Sequence, residues 1–501
     1  MIDKILSKKN WFLLIAFISG AGVMGIELSA SRLIAPYFGS STFIWANIIG
    51  VILVALSFGY YFGGKLADKT HDQKTLYNIL IGAGGYSALS PFLIKPLSDF
   101  FKYMLVFIGD PFIGIFFGSL LVMLVLFFPA IYLFGYVSPF IITLLTDEYK
   151  HPGKVSGDVF AVSTIGSIIG TFLPVLVLIP LIGTSKTILI FSFLIMLLGL
   201  LGKGVRYLNL IKIYFVCFLI ILLTPSVQAR FGEKVAEIET SYNYAQVLDR
   251  EGFRYLSINE GNSIYTIKNL DGILTGSYFD YYSLLPALDF SNNPQKVLIL
   301  GLAGGTIADQ MIDIYPDKLE VTGVEIDTGI IKAGLEYFQM ARPELKIIKD
   351  DGRNFLATTH EKFDNIILDA YSNQLYIAFH LTTKEFFESV ASKLNDGGVV
   401  ALNVNAINES SELLTSIIAT LNSVFKNVYL MKTGDTLNYM IVATNRELDL
   451  NNWSKNLPDI LKTYSESLAN VKKVSSHKKV LTDDLAPVEY LTDYMILNYE
   501  R

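Results

Sequence analysis

The sequence has little cysteine, histidine or charge for its length. Its single cysteine, Cys217, excludes a disulfide within the chain and says little about the redox compartment. The five histidines are scattered without the spacing of metal ligands, so no metal site is predicted. The 40 basic and 46 acidic residues leave a net charge of −6, which gives no basic surface for nucleic acid. We therefore expect neither a disulfide scaffold, nor a metalloenzyme, nor a nucleic-acid-binding protein.

The scarcity of charge has a local origin in the first half of the chain. Only 17% of the 501 residues are charged and 52% are hydrophobic, which is too apolar for a soluble protein of this length. Seven apolar runs precede Pro225, each near or above the roughly 20 residues needed to span a bilayer. They cover residues 11–34, 43–66, 76–98, 112–145, 158–181, 184–202 and 209–224. Residues 1–227 are therefore predicted to form a helical transmembrane bundle embedded in a lipid membrane.

Two features inside these runs bear on helix packing. Glu27 and Arg32 are costly in hydrocarbon, so they are expected to face the bundle interior, either as a structural ion pair or as functional residues. Gly166 and Gly170 form a GxxxG pattern, which predicts that two helices touch there.

After Pro225 the composition becomes that of an ordinary α/β domain, and one stretch of it predicts a ligand site. Short apolar runs at residues 297–300, 321–324, 347–348 and 366–368 suit buried parallel strands, and each ends in glycine or an acid. Ligands of such sheets bind at the carboxyl ends of the strands. Gly301, Gly304 and Gly305 would let the backbone turn and approach a ligand before a helix that starts near Thr306.

Three acids follow at successive strand ends. Glu325 lies 24 residues after Gly301 (325 minus 301), where a carboxylate accepts hydrogen bonds from both ribose hydroxyls. Asp351 is placed to accept a hydrogen bond from an adenine amino group. Asp369 has no expected contact with the nucleoside and is therefore the candidate catalytic carboxylate. The pattern predicts a nucleoside site with an intact ribose diol.

From about Ser241 to Asn403 these motifs resemble the spermidine synthase (aminopropyltransferase) family, and the whole chain resembles bacterial proteins in which a membrane domain is fused to such a domain. The resemblance implies a small β-rich part at residues 228–285 and a Rossmann-like, methyltransferase-type domain at residues 286–501. It also implies S-adenosylmethionine or its decarboxylated form as donor, a polyamine acceptor, and release of methylthioadenosine. An oligomer is compatible with the sequence.

The resemblance gives roles to individual residues. Gln246 matches the family's donor-contacting glutamine, Glu325 its ribose acid and Asp351 its adenine acid. Asp369 matches the catalytic aspartate that helps to deprotonate the attacking amine, and Tyr281 matches the active-site tyrosine.

Three positions depart from the family pattern. The family's GGGDG loop is GLAGG here, so Gly304 stands where an acid holds the donor's ammonium. Ser372 replaces the second acid of the D-x-x-D motif, which grips the acceptor amine, and Tyr282 replaces a histidine. Desolvating an unpaired ammonium costs several kcal/mol, so the two lost carboxylates put polyamine binding in doubt and open the site to S-adenosylmethionine itself.

Two later residues are further candidates for the pocket. His380 and Asp484 are placed where either could replace a lost acid. The alternative for His380 is a loop before a helix capped by Thr382 or Thr383, and the alternative for Asp484 is an acidic surface turn.

The sequence leaves three functions open. The first is a membrane-embedded aminopropyltransferase of polyamine synthesis. The second is a cyclase or lyase in which the donor's own group is the nucleophile. The third is a transporter or sensor with a regulatory adenosyl-binding domain.

The number of spans and the orientation are also open. Residues 112–145 would form a helix about 51 Å long against a hydrocarbon core of about 30 Å, so breaks are expected at Gly135 and Pro139, with seven or eight spans. Seven spans and an inside N-terminus satisfy the positive-inside rule and place the C-terminal half outside. Because adenosyl donors are cytosolic, the cytoplasmic face of a bacterial inner membrane is nevertheless favoured.

Overall fold

The computed structural model describes residues 7–38, 42–105, 111–204, 232–240, 242–258, 263–289, 294–373, 376–434 and 437–499. The chain divides into two compact units, Met1–Val227 and Gln228–Arg501. The seventh apolar run, at residues 209–224, and Cys217 within it lie outside the described residues.

The first unit is helical throughout its described part. Its helices are α1 (Lys8–Phe38), α2 (Thr42–Thr70), α3 (Gln73–Ser87), α4 (Ser90–Leu105), α5 (Pro111–Leu126), α6 (Phe128–Gly135), α7 (Val137–Tyr149), α8 (Pro152–Leu173), α9 (Ile179–Ile182) and α10 (Thr184–Lys203), with a π turn at Pro174–Leu178. In the described part, five helical stretches are long and apolar enough to cross a membrane: Lys8–Ala35, Phe43–Thr70, Phe128–Tyr149, Pro152–Ile182 and Thr184–Lys203. An apolar helical unit is thus present; its described residues contain these five candidate spans, and the expected count of seven is not confirmed.

One expected span is divided in two. The run at 76–98 forms α3 and α4, of 15 and 16 residues, and each is shorter than the roughly 20 residues that a crossing requires. Pro91 has no N–H to donate to the carbonyl of Ser87, so a backbone hydrogen bond is missing at the point where α3 and α4 separate. The Ser90 hydroxyl donates to that carbonyl instead, at 2.8 Å.

The run at 112–145 is broken twice. One break, at Tyr136, lies between the predicted positions Gly135 and Pro139. The other, at Phe127, precedes Pro129 and was not predicted. Proline at 129 frees the carbonyl of Val125, which accepts a hydrogen bond from Tyr86 Oη at 2.7 Å.

The GxxxG pattern lies where α1 and α8 meet. A Cβ atom on Gly166 would be 2.0 Å from the carbonyl oxygen of Phe17, and one on Gly170 would be 2.2 Å from that of Ala21. Only glycine permits such an approach of two backbones. The predicted close helix contact is confirmed.

The second unit begins with a four-stranded antiparallel sheet and continues with a larger mixed sheet. The small sheet has the order β1 (Glu233–Glu239), β2 (Tyr244–Arg250), β3 (Phe253–Ile258), β4 (Ser263–Asn269). The strands of the rest of the unit are β5 (Gln295–Leu300), β6 (Leu319–Glu325), β7 (Leu345–Lys349), β8 (Phe363–Leu368), β9 (Tyr371–Asn373), β10 (Tyr376–Ile377), β11 (Leu394–Asn405), β12 (Asn427–Lys432), β13 (Asn438–Thr444) and β14 (Lys472–Lys473). β9 and β10 form a separate pair, and the large sheet has the order β14-β12-β13-β11-β8-β5-β6-β7.

The four apolar runs predicted as strands are β5 to β8. They pair in parallel with one another, as expected, and β11 extends the parallel part beside β8. Successive side chains of β5 enter opposite cores: Leu298 and Leu300 pack on one side of the sheet, Val297 and Ile299 on the other. The sheet is therefore covered on both faces, as in a Rossmann-like α/β fold.

The helices of this unit connect the strands and cover the sheet. They are α11 (Phe279–Tyr282), α12 (Thr306–Ile314), α13 (Thr328–Tyr337), α14 (Gly352–Thr358), α15 (Lys384–Ser392), α16 (Glu412–Asn422), α17 (Leu450–Lys455), α18 (Ser465–Ala469) and α19 (Val488–Tyr499). α12 starts at Thr306, as the glycine loop predicts.

Candidate active site

A cavity of about 670 Å³ lies at the carboxyl ends of the parallel strands. Predicted residues that line it are Gly301, Glu325, Asp351, Asp369 and His380. The strand ends β5, β6, β7 and β8 thus bring four separate sequence motifs to one cavity, as expected for a parallel sheet.

The glycine loop after β5 makes close backbone contacts. Gly301 has φ +90°, and a Cβ there would be 2.5 Å from the carbonyl oxygen of Asp369. Ala303 adopts the left-handed region at φ +48°, and its N–H donates to Glu325 Oε2 at 3.0 Å. The loop therefore fixes the Glu325 carboxylate at the edge of the cavity.

Glu325 is held at both of its oxygens. Oε1 accepts from the backbone N–H of Asp327 at 2.9 Å, while Oε2 accepts from the N–H of Ala303. Burial raises the pKa of Glu325, while these backbone hydrogen bonds act in the opposite direction. Its remaining lone pairs are available to a ligand with two adjacent hydroxyls.

Asp351 has two tasks. Its Oδ1 caps α14 by accepting from the N–H groups of Arg353 at 2.9 Å and Asn354 at 3.0 Å. Its Oδ2 lies 3.7 Å from His380 Nε2, and both side chains line the cavity. The helix start therefore presents a carboxylate of fixed orientation to the cavity.

Asp369 is buried at the carboxyl end of β8 between two phenols. Tyr278 donates to Oδ2 at 3.1 Å, and the hydroxyl of Tyr282 lies 3.4 Å from Oδ1. Burial raises the pKa of Asp369 to about 7, against the lowering effect of the two hydrogen bonds. Burial and the nearby carboxylate raise the pKa of both phenols well above the usual value, so the phenols stay protonated. A carboxyl group that titrates near neutral pH suits a general base.

The expectation for Tyr281 is corrected by this geometry. Its hydroxyl lies 3.3 Å from Ser467 Oγ, its ring packs against Tyr464, and it does not line the cavity. Residues four apart on a helical turn share a face, so Tyr278 and Tyr282 point together at Asp369 while Tyr281 turns away. The four-residue spacing of Tyr278 and Tyr282 in YFDYY is the sequence feature that could have predicted their shared face.

Gln246 does not line the cavity either. It is fully buried in β2, where its Nε2 donates to Tyr244 Oη at 3.0 Å. Its Oε1 has no hydrogen-bond partner. The structure thus keeps this side chain behind the cavity wall.

Gly304 and Gly305 lie in the turn but outside the cavity lining. The N–H of Gly304 donates to Thr266 Oγ1 at 2.7 Å, and a Cβ on Gly304 would be 2.8 Å from that oxygen. Thr266 of β4 therefore fills the space that an acidic side chain at 304 would need.

The three remaining candidate residues differ in their positions relative to the cavity. Ser372 belongs to β9, and its side chain lies outside the described part of the structure. Asp484 is exposed and does not line the cavity, as in the alternative of an acidic surface turn. His380 lines the cavity, and Thr383 caps the following helix by accepting from the N–H of Phe386 at 3.3 Å.

Sequence reasoning missed how two carboxylates hold the cavity wall. Asp483, the neighbour of Asp484, accepts from Arg353 Nη1 at 2.8 Å and from Thr383 Oγ1 at 2.7 Å. Arg353 Nη1 also donates to the carbonyl of His380 at 3.1 Å. The acidic turn therefore positions the wall through an arginine, without entering the cavity.

The second missed carboxylate is Asp493 of α19, which is buried and accepts a hydrogen bond from Tyr376 of β10. Burial raises the pKa of Asp493 to about 6. Tyr376 precedes the wall residues Ala378, His380 and Leu381 in the chain. Residues 376–383, the wall segment, are thus tied at both ends to the segment 481–495.

Sequence reasoning also missed three amides. Asn403 and Asn405, at the end of β11, and Asn438, at the start of β13, line the cavity. Asn403 and Asn405 are two residues apart on a strand and therefore share a face. The pairing of β11 with β13 that brings in Asn438 is not visible in the local sequence.

Known proteins are similar to the part of the chain that forms the cavity. Residues 284–449 match the spermine/spermidine synthase domain family. The C-terminal half contains a spermidine synthase domain. Together with the apolar helices of the first unit, this organisation is consistent with a membrane-fused spermidine synthase-like protein.

Relatives agree with this assignment of the domain. A probable polyamine aminopropyl transferase of Bifidobacterium longum is 35% identical over 284 residues, which cover 51% of this chain and 61% of the relative. A polyamine aminopropyltransferase of Vibrio vulnificus is 25% identical over 276 residues, 51% of this chain and 91% of the relative. The solved structure of a probable spermidine synthase from Corynebacterium glutamicum is 20% identical, covers 51% of this chain and 98% of its own, and has a TM-score of 0.39. The names of the two sequence relatives support an aminopropyltransferase-like domain and lend no support to a lyase or cyclase.

Proposed function

We propose that the protein is an aminopropyltransferase that binds an adenosyl sulfonium donor in the cavity, moves its aminopropyl group to an amine and releases methylthioadenosine. The observation that carries the proposal is Asp369, buried beside the cavity between Tyr278 and Tyr282, with a pKa of about 7. The relatives that the spermidine synthase domain matches are named for this transfer.

The nucleoside part of the donor fits the strand ends of β5, β6 and β7. Gly301 gives backbone room, Glu325 presents a carboxylate to the ribose hydroxyls, and Asp351 presents one to the adenine amino group. The decarboxylated form of S-adenosylmethionine carries the aminopropyl group. S-adenosylmethionine itself is also a candidate, because Gly304 and Thr266 leave no acid in the turn to repel a donor carboxylate, but the group that it transfers would be aminocarboxypropyl.

The chemistry needs a base and an aligned nucleophile. An amine arrives protonated near neutral pH, and the Asp369 carboxylate accepts its proton. The free nitrogen attacks the carbon beside the sulfonium, a C–N bond forms, the C–S bond breaks, and its electron pair stays on sulfur as methylthioadenosine leaves. Tyr278 holds the carboxylate in position through its hydrogen bond to Oδ2. Because the sulfonium is already a good leaving group, orientation supplies most of the remaining acceleration.

The direct test uses the purified full-length protein. It is incubated with S-adenosylmethionine or the decarboxylated form, with and without putrescine, and products are identified by mass spectrometry. We expect amine-dependent methylthioadenosine that is lost in Asp369→Asn and kept in the matched control Asp484→Asn, whose carboxylate is exposed outside the cavity. Methylthioadenosine formed equally well without an amine would refute transfer, and no product from either donor with putrescine would refute putrescine as the acceptor.

The same variant separates the other functional classes. Ligand flux through vesicles that survives Asp369→Asn would favour a transporter. Tight donor binding without turnover would favour a sensor.

We also propose that the apolar helices anchor the spermidine synthase domain to the membrane on its cytoplasmic side, where adenosyl donors are available. Five helical stretches in the described part have the required length and hydropathy. Protease added to inside-out and right-side-out vesicles tests the orientation. Cleavage of the domain in inside-out vesicles alone is expected, and cleavage in right-side-out vesicles would contradict it.

A further inference from the structure

The cavity has two chemically different ends. In the sheet order, β6 and β7 lie on one side of the central pair β5 and β8, and β11 and β13 lie on the other. The donor's nucleoside fits the β6 and β7 side. Asp369, on β8, stands at the junction, so the β11 and β13 side is left for the acceptor.

This second end is lined by amides that bond to one another. Asn403 Nδ2 donates to Asn438 Oδ1 at 2.7 Å and lies 3.3 Å from Tyr371 Oη, and Asn405 Nδ2 lies 3.4 Å from the same hydroxyl. Asn403 is only 2% exposed, and its Oδ1 has no hydrogen-bond partner. The Nδ2 groups of Asn403 and Asn405 are thus engaged inside the network, and the buried Oδ1 of Asn403 remains as an acceptor without a partner.

Charge distinguishes the two ends as well. Of the described lining residues, Glu325, Asp350 and Asp351 place carboxylates on the β6 and β7 side, and Asp369 is central. On the far side of Asp369, the described polar lining residues that β9, β11 and β13 contribute are Tyr371 and the three asparagines, all uncharged. An ammonium group held there would be desolvated without a carboxylate partner among them, which costs several kcal/mol.

We propose that Asn403, Asn405 and Asn438 form the acceptor subsite and select an amine with a single ammonium group, bound at Asp369, and a neutral hydrogen-bond donor such as a hydroxyl at its far end. This inference rests on the proposed aminopropyl transfer. The far hydroxyl donates to an amide oxygen of the network, and Asn403 Oδ1 is the oxygen that gains a missing partner. Such a donor satisfies a buried acceptor without bringing in a second charge.

The test compares three acceptors of similar length with the unmodified full-length protein. Putrescine has two ammonium groups, 4-aminobutanol has one and a hydroxyl, and butylamine has one and a methyl group. We expect kcat/KM for 4-aminobutanol to exceed that for putrescine by about tenfold or more, because several kcal/mol of unpaired charge correspond to at least that factor. Butylamine should also fall below 4-aminobutanol, since it cannot satisfy the amide oxygen.

A charge introduced at the far end should reverse this order. Asn403→Asp, and independently Asn438→Asp, are expected to raise kcat/KM for putrescine relative to 4-aminobutanol by about tenfold. The control is Asn451→Asp, an exposed residue of α17 outside the cavity, which should leave the ratio unchanged. The comparison on the unmodified protein stands even where a variant does not fold.

The outcomes separate this inference from the function on which it rests. Putrescine used as well as or better than 4-aminobutanol would overturn the amide subsite and leave aminopropyl transfer intact. No transfer to any amine would refute the proposed function itself.

Discussion

Tyr278 donates a hydrogen bond to Asp369 Oδ2 at 3.1 Å, from a position one helical turn before Tyr282. The pair sets the charge state of the cavity. Burial raises the pKa of Asp369 to about 7, and the hydrogen bond from Tyr278 favours the ionised form. In the proposed transfer, the protonation of this one carboxyl group decides when an amine can be activated.

The first prediction concerns the pH profile. If Asp369 is the base, kcat/KM should rise with pH through about 7 as the free enzyme loses this proton. Tyr278→Phe removes a bond to the ionised form, so the rising limb should move to higher pH. Tyr281→Phe is the matched control from the same turn, because its hydroxyl contacts Ser467 instead. A shift in Tyr281→Phe and none in Tyr278→Phe would contradict the assignment.

The same raised pKa predicts how stability depends on pH. Between the usual aspartate value of about 4 and about 7, the folded protein holds a proton that the unfolded chain has lost. The free energy of unfolding should therefore fall as pH rises through this window, by at most about 4 kcal/mol, since one pKa unit is about 1.4 kcal/mol. Asp369→Asn does not titrate. The difference between its Tm in detergent and that of the unmodified protein should therefore shift in favour of the variant as pH rises from 4 to 7. A constant Tm difference would argue against the raised pKa.

A third prediction concerns the turn that lacks the family's acid. Gly304→Asp should destabilise the protein by about 1–3 kcal/mol, because its Cβ would lie 2.8 Å from Thr266 Oγ1 and 2.9 Å from Thr266 Cγ2. Thr266→Ala removes both atoms, so the double variant should recover part of the lost Tm. Additive losses in Tm would show that Thr266 is not what excludes the acid.

The wall segment gives a fourth prediction. Tyr376→Phe leaves the buried Asp493 without its partner and should loosen residues 376–383. We expect KM for the donor to rise several-fold with little change in kcat, because His380 and Leu381 line the cavity beyond this contact. Asp493→Asn keeps an acceptor for the phenol and should stay close to the unmodified KM. Equal losses of kcat and no change of KM in Tyr376→Phe would contradict a positioning role.

A fifth prediction tests the helix contact of the first unit. Gly170→Ala places a Cβ 2.2 Å from the carbonyl oxygen of Ala21 and should lower the Tm in detergent by several degrees, in line with an overpacking cost of about 1–3 kcal/mol. Gly157→Ala, on the same helix with open space at this position, should keep or raise the Tm because alanine favours helix. Equal effects of the two changes would argue against close packing at Gly170.

The parts of the fold that follow from local pattern were predictable. The apolar runs of β5 to β8 marked their strands, because parallel strands are buried on both faces and show it in sequence. Similarity to a family located the neighbourhood of the tyrosine, but the orientation of a four-residue helix decided that Tyr278 and Tyr282 meet Asp369.

What could not be predicted depends on contacts far apart in the chain. Asn438 reaches Asn403 only through the antiparallel pairing of β13 with β11. Asp493 reaches Tyr376 across 117 residues. The break at Phe127 could have been predicted from the sequence, because Pro129 indicates a helix break in the same way as Pro139.

The attachment of the wall segment to residues 481–495 sets an order of events during synthesis. Every strand of the large sheet, up to Lys473 in β14, leaves the ribosome before Asp483 and Asp493 do. The sheet and its glycine loop can therefore form while residues 376–383 still lack their attachments. A chain that ends between Lys473 and Asp483 should, once released from the ribosome, fold around its sheet yet have an open cavity, because both carboxylates that hold the wall are missing.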